Sequence, residues 1–139
     1  MKTEPDEFSF DDLVDRPRHT ESWNGVRNYQ ARNFMRDDFK VGDKVLIYHS
    51  SAEQIGIPGL AEVVKAAHPD TTADEPERWV MVDVKATHRF KHFVSLGEIK
   101  SNKSLHSMLV VKRGQRLSIQ PVTKSEWETL LKIGNPSPI

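Results

Sequence analysis

"DKVLIYHSSAEQIGIPGLAEVVKAA", residues 43–67, decides the fold. Two short β-branched runs, 43–50 and 59–67, are separated by the Gly- and Pro-containing "IGIPG" (55–59), which predicts two strands. "WVMVDVKAT" (79–87) adds a third strand by alternation, with Val80, Val82, Val84 and Ala86 on one face and Met81, Asp83 and Lys85 on the other. "SMLVVK" (107–112) and "RLSIQPV" (116–122) bracket Gly114 and predict a hairpin, Leu117 and Ile119 facing opposite to Arg116, Ser118 and Gln120.

Helices occupy the intervals. Ser9, Ser95 and Thr123 each precede an acid by three residues, the spacing of a capping box. The last opens a helix with Trp127, Leu130 and Leu131 on one face, ending at Gly134. Another helix is expected from about Asn28 to Asp38, burying Ala31, Phe34 and Met35. "HPDTTADEPERW" (68–79) reads as a surface loop and "GNPSPI" (134–139) as a loosely held tail. About five strands with three or four short helices imply an α+β domain built on a small, mostly antiparallel β-barrel.

A chain of 139 residues fits one domain and buries roughly two thirds of its unfolded surface. The absence of Cys excludes disulfides, thiolate catalysis and Cys-ligated zinc. No apolar run approaches a membrane span, and the acidic start "MKTEPDEF" does not suit a secretory signal. The expected location is the cytoplasm, or the nucleus of a eukaryotic cell. Formal net charge is zero, but residues 1–15 hold six acids and one Lys, whereas 85–116 hold eight Lys or Arg and one acid, Glu98. Such a basic side can be a merely solvated face or can meet a phosphate backbone, with strong salt dependence.

Enzyme signatures are thin. There is no P-loop, dinucleotide fingerprint, nucleophile elbow or HExxH. His88 and His92 have metal-ligand spacing for a helix, but they follow a strand and lack a nearby carboxylate, so no metal and no cofactor are expected. His49 and Ser50 are strand neighbours that point to opposite faces, a poor nucleophile–base pair.

Binding signals are better. "SWNGVRNYQARNFMRDD" (22–38) mixes Trp, Tyr, Asn and Arg, groups that stack on and hydrogen-bond to flat heterocycles. Asn24-Gly25 is a turn dipeptide, which sets Trp23 on a tight bend, either plugging a barrel end or walling a pocket. The polar groups of "YHSS" and of "RLSIQPV" either pair with one another or await a ligand, because an unpaired buried polar group costs about 1–3 kcal/mol.

In order, "KTEP", "WNGVRNYQARNFMR", "GDKVLIYHS", "IGIPGLAEVVKAAHPD", "VSLGEIK" and "LVVKRGQRLSIQPVT" resemble the EVE domain family of PUA-like β-barrels over nearly the whole chain. The resemblance implies one domain over residues 1–139, related to PUA and YTH domains, that takes a single nucleobase into a pocket. Members usually carry a hydrophobic strand with a Tyr-Trp pair before "K-S/T-E-P"; here that first strand is expected to be truncated. Carried over, the pocket is Trp23, Asn24, Val26 and Arg27 on one wall and Tyr29, Arg32 and Asn33 on a second, with Tyr48, His49 and Ser50 facing Ser118, Gln120 and Pro121. Arg36, Lys112, Arg113 and Arg116 are expected on phosphates. The function implied is a non-catalytic, monomeric reader of a flipped, modified cytosine or adenine, with DNA ahead of RNA as partner and no membrane contact. The alternatives are a PUA-type RNA-binding module and a small ASCH-like hydrolase or nuclease.

Overall fold

A computed structural model describes residues 1–112 and 117–139. Strands β1 (Lys2–Thr3), β2 (Thr20–Trp23), β3 (Lys44–His49), β4 (Gly56–Pro69), β5 (Val80–Ser95) and β6 (Pro136–Pro138) form one mixed sheet. Its order is β1-β3-β4-β5-β2, with β6 also on β5. β1 runs parallel to β3 and all other ladders are antiparallel. Helices α1 (Phe10–Asp15), α2 (Tyr29–Asn33), α3 (Leu96–Ser101) and α4 (Lys124–Gly134) cover it. The class is α+β, as expected. The sheet is not closed, however: among the described residues no ladder joins β1 to β2.

Alternation along the strands distributes apolar side chains between two cores. Val45 and Ile47 of β3 enter one with Phe10, Leu13, Ala31 and Met35, while Leu46 and Tyr48 enter the other with Ile99, Leu105 and Leu130. β5 serves both in succession, through Val82, Val84 and Ala86 and then Phe90 and Val94. β4 changes face along its length in the same way, and its ladder with β5 is interrupted by four register shifts. The bulges re-aim the strands between the two cores.

All three capping boxes form, at Ser9, Ser95 and Thr123. Asn28 caps α2, but the helix expected to reach Asp38 changes to a π-helical turn over Phe34–Asp38. Ala31 and Met35 are fully buried, and Phe34 only partly.

Five expectations need correction. "IGIPG" does not separate the strands, because β4 begins at Gly56 and the link from β3 is 50–55. Trp23 is the last residue of β2, paired with Val82, and the turn begins after it. Among the described residues of 107–122 no strand of the expected hairpin forms: Leu109–Val111 is a 3₁₀ turn, and 117–122 is irregular although Leu117 and Ile119 are buried as its alternation requires. Its proposed turn at Gly114 falls outside the described residues. The tail is β6, pairing Pro136–Pro138 with His88–Phe90 on the edge of β5, where prolines are tolerated. Finally, α4 closes on Asn135 in the left-handed conformation (φ 51°), with Gly134 still helical.

Candidate functional site

Gly25 adopts φ +78°, a conformation that costs glycine nothing, and turns the chain out of β2. The turn is pinned from below by Asp70, the residue after β4. Asp70 is fully buried, and its Oδ2 accepts from the Gly25 N–H and from Arg27 Nη1, both at 2.9 Å. Its Oδ1 accepts from the Thr72 N–H at 2.9 Å and from the Thr72 hydroxyl. Burial alone raises this carboxyl's pKa, but the Thr72, Gly25 and Arg27 donors outweigh it and hold the group at about 2. Asp70 is therefore an ionised anchor.

Above this anchor lies a cleft of about 1170 Å³. Trp23, Asn24, Val26 and Arg27 form one side, with Phe8 meeting the Trp23 ring edge-on at 5.9 Å and 81°. Ser50, Ser51 and Ser118 stand in the same cleft with Lys2 and Thr3. Among the described residues six charged side chains line it, Lys2, Arg16 and Arg27 against Glu4, Glu7 and Glu21, three of each sign. Arg16 pairs with Glu21 at 2.8 Å, and Arg27 with Asp70. These six charges sum to zero. Such a lining suits a neutral planar group with both donors and acceptors on its edge.

The structure thus brings together Trp23, Asn24, Val26, Arg27, Ser50 and Ser118. Val26 is 7% exposed and packs into the core, so its part is to seat the turn. The other expected pocket residues lie elsewhere. Tyr48, Gln120 and Pro121 line an adjoining, much smaller cavity of about 30 Å³, which shares Lys2 and Ser118 with the cleft. Gln120 Nε2 donates to the Leu117 carbonyl at 2.8 Å. His49 Nε2 accepts the Phe10 N–H at 3.0 Å, satisfying an otherwise orphaned donor at the start of α1; burial lowers the imidazole pKa and keeps that nitrogen an acceptor.

Tyr29 and Arg32 assemble around Trp79 instead. Tyr29 stacks on Trp79 with centroids 4.8 Å apart, and Arg32 lies 4.8 Å from the Tyr29 centroid. Asn33 Oδ1 accepts from Arg32 Nε and Nη2 at 3.1 and 2.7 Å. Arg36 is engaged by its neighbour Asp37 at 2.8 Å. Lys112 is exposed, and Arg113 and Arg116 fall outside the described residues.

The His88/His92 pair sits on β5, where a four-residue separation spans roughly 13 Å, beyond the reach of one ion. The sequence reading gave His92 no carboxylate; the structure gives it Glu98 at 2.8 Å, brought back by the capping box of α3. Near the cleft, the Ser22 hydroxyl donates to Asp83 at 2.7 Å and His68 Nε2 meets the same oxygen at 3.0 Å. Both contacts end on the carboxylate, so the trio lacks the serine–imidazole bond of a nucleophilic triad. No helix among the described residues is long and apolar enough to cross a membrane.

Sequence reasoning missed Phe8, Asp70 and Trp79. Asp70 carried a signal, as an acid closing the strand segment "AAHPD", but its partners in the turn, Arg27 and Gly25, lie 43 and 45 positions away.

Comparisons place this architecture. The EVE domain family model matches residues 1–133. Human thymocyte nuclear protein 1 is 37% identical over 167 aligned positions, covering 99% of this chain and 74% of the human protein. A hypothetical protein from Leishmania major superimposes with a TM-score of 0.88 at 42% identity, over 97% of this chain and 92% of that one. The crystal structure of the human THYN1 protein in complex with 5-methylcytosine-containing DNA gives a TM-score of 0.88 at 37% identity, over 99% and 97% of the two chains. On the family match and on these relatives, the chain belongs to the EVE domain family, with its PUA-like fold.

Proposed function

We propose that this chain is a non-catalytic, monomeric nucleic-acid-binding domain that takes one flipped, modified base into the Trp23 cleft, with 5-methylcytosine in DNA as the first candidate. The observation that carries the reading is Trp23 itself, braced edge-on by Phe8 at the wall of a cleft large enough for a nucleotide. The human relative crystallised with 5-methylcytosine DNA supports the choice of ligand.

Extracting a base costs a few kcal/mol and stacking it on one aromatic ring returns about 1–3 kcal/mol, so the two roughly cancel. Affinity then comes from hydrogen bonds at the base edge and from phosphate contacts. Asn24, Ser50 and Ser118 stand in the cleft for the edge; Arg27 at its rim and the exposed Lys112 are assigned to the backbone. Burying one methyl adds only ~0.8 kcal/mol, about fourfold in Kd. Larger discrimination requires a polar group left unpaired by the unmodified base, or easier unstacking of the modified pair.

The test is a salt-controlled panel of DNA and RNA oligonucleotides carrying single modified bases. Preference for a modified DNA base of about fourfold or more is expected. Equal affinity for every oligonucleotide overturns base reading; dependence on the 2′-OH moves the assignment to RNA.

A further inference from the structure

Outside the cleft, Tyr29 is half exposed (51%) and is the one aromatic residue among the exposed large apolar side chains of the described residues. Its ring stacks on Trp79 at an interplanar angle of 27°. Two guanidinium groups flank this pair: Arg32 lies 4.8 Å from the Tyr29 centroid and 6.0 Å from that of Trp79, and Arg27 lies 5.6 Å from Trp79. Arg32 is held in place by neutral acceptors alone, Asn33 Oδ1 and the Arg78 carbonyl at 3.1 Å, and among the described residues no carboxylate pairs with it. Its charge is oriented, and the carboxylate that feels it, Asp37, is already paired with Arg36. Arg27 belongs to both places, since it lines the cleft and touches Trp79. The platform therefore begins where the cleft ends.

We infer that Tyr29, Trp79 and Arg32 form a second nucleotide subsite, which takes the nucleotide adjoining the one in the cleft. The inference rests on the base-holding reading above. An exposed ring stacks any base, because every base has a π-face, so this subsite adds affinity without reading sequence. Asn33 and Arg78 take one N–H from each of the three guanidinium nitrogens, which leaves two of the five N–H groups to meet a phosphate oxygen. An occupant that is aromatic and anionic in alternation meets both requirements, and a nucleic-acid strand is such an occupant. If the ring pair served only to fasten loop 70–79 onto α2, Tyr29 would matter to stability and not to binding.

The experiment measures wild type, Tyr29→Ala, Tyr29→Phe, Arg32→Gln and Trp23→Ala against two short duplexes that differ only in one 5-methylcytosine. Tyr29→Ala is expected to weaken both duplexes by about five- to 150-fold, the range for one lost stack, and to keep the ratio between them. Tyr29→Phe should bind as wild type, and Arg32→Gln should lower the salt slope by about one. Tyr29→Ala binding both duplexes as wild type does, with or without a drop in thermal midpoint, overturns the subsite. The cleft reading fails separately: if Trp23→Ala leaves affinity and ratio intact while Tyr29→Ala still weakens both duplexes, the platform stands without the flipped base.

Discussion

Asp70 and Arg27 meet at 2.9 Å across a boundary, a fully buried carboxylate against a guanidinium whose side chain is 39% exposed. Through this contact, and through the Gly25 N–H on the same oxygen, the end of β4 sets the shape of the turn that follows Trp23. The cleft wall is thus held from inside the protein, and the outer face of Arg27 stays available.

Replacing Asp70 tests that arrangement through pH. In Asp70→Asn the amide has one acceptor oxygen for donors that reach both carboxylate oxygens, so its NH₂ confronts a donor; a loss of ~2–4 kcal/mol is expected. The folded pKa of Asp70 lies near 2, below its ordinary 3.8. A depressed carboxylate stabilises the fold fully above the unfolded pKa, and that contribution, about 2 kcal/mol, is lost as pH falls through the folded value. Urea unfolding of both proteins should therefore show a gap that is widest above pH ~5 and narrows from pH ~4 to ~2. A gap constant to pH ~2 would mean the carboxylate is not the anchor.

Gly134 is a packing requirement. A Cβ there would run into the Cγ, Cδ2 and Cε2 atoms of the Phe90 ring, which is itself buried in the second core. Gly134→Ala should cost ~1–3 kcal/mol by overpacking, reduced by up to ~1 kcal/mol of helix propensity. The same change in a Phe90→Leu background should cost less. Additive losses in the double mutant would place the strain elsewhere.

Much of this was legible locally. Capping boxes, the alternation of Val82, Val84 and Ala86, and the buried run of β3 depend on near neighbours, and all appear as read. β2 escaped because "TESW" has no apolar alternation; its existence depends on backbone pairing with Val82–Lys85, some sixty residues on. β6 escaped for the same reason, as a Pro-containing tail whose partner lies far upstream. The 107–122 hairpin went the other way: local β propensity yielded to a 3₁₀ turn that delivers Met108 to the second core. At the candidate site, Trp23–Arg27 share one cleft wall because they are contiguous. The assignment of Tyr29 and Arg32 to the same pocket missed Trp79, which draws them onto a separate platform.

Lys112 tests the basic side. It is exposed and, among the described residues, has no ion pair. Lys112→Glu should weaken binding of all oligonucleotides similarly and reduce the salt slope, while preference for the modified base survives, because phosphate contacts position and do not specify. Loss of preference with general affinity intact would take Lys112 off the backbone.

Trp23 decides the cleft. Its ring is partly buried against the first core, meets Phe8 in a T-shaped contact and lines the cleft. Trp23→Ala should remove the ~1–3 kcal/mol of one stacked base, weakening binding by about five- to 150-fold. Truncating a fully buried Trp typically costs ~3–5 kcal/mol of folding stability; Trp23, only partly buried, should cost less. Phe8→Leu removes the edge contact and should give a smaller binding loss, of ~0.5–1.5 kcal/mol, by freeing the Trp23 ring. Saturating wild type with the modified duplex should quench its fluorescence, and the component due to Trp23 should be missing in Trp23→Ala, while Trp79 and Trp127 still emit. Thermal unfolding and binding measured on the same Trp23→Ala preparation separate the outcomes. A variant that stays folded and binds the modified duplex as tightly as wild type removes the flipped base from this cleft.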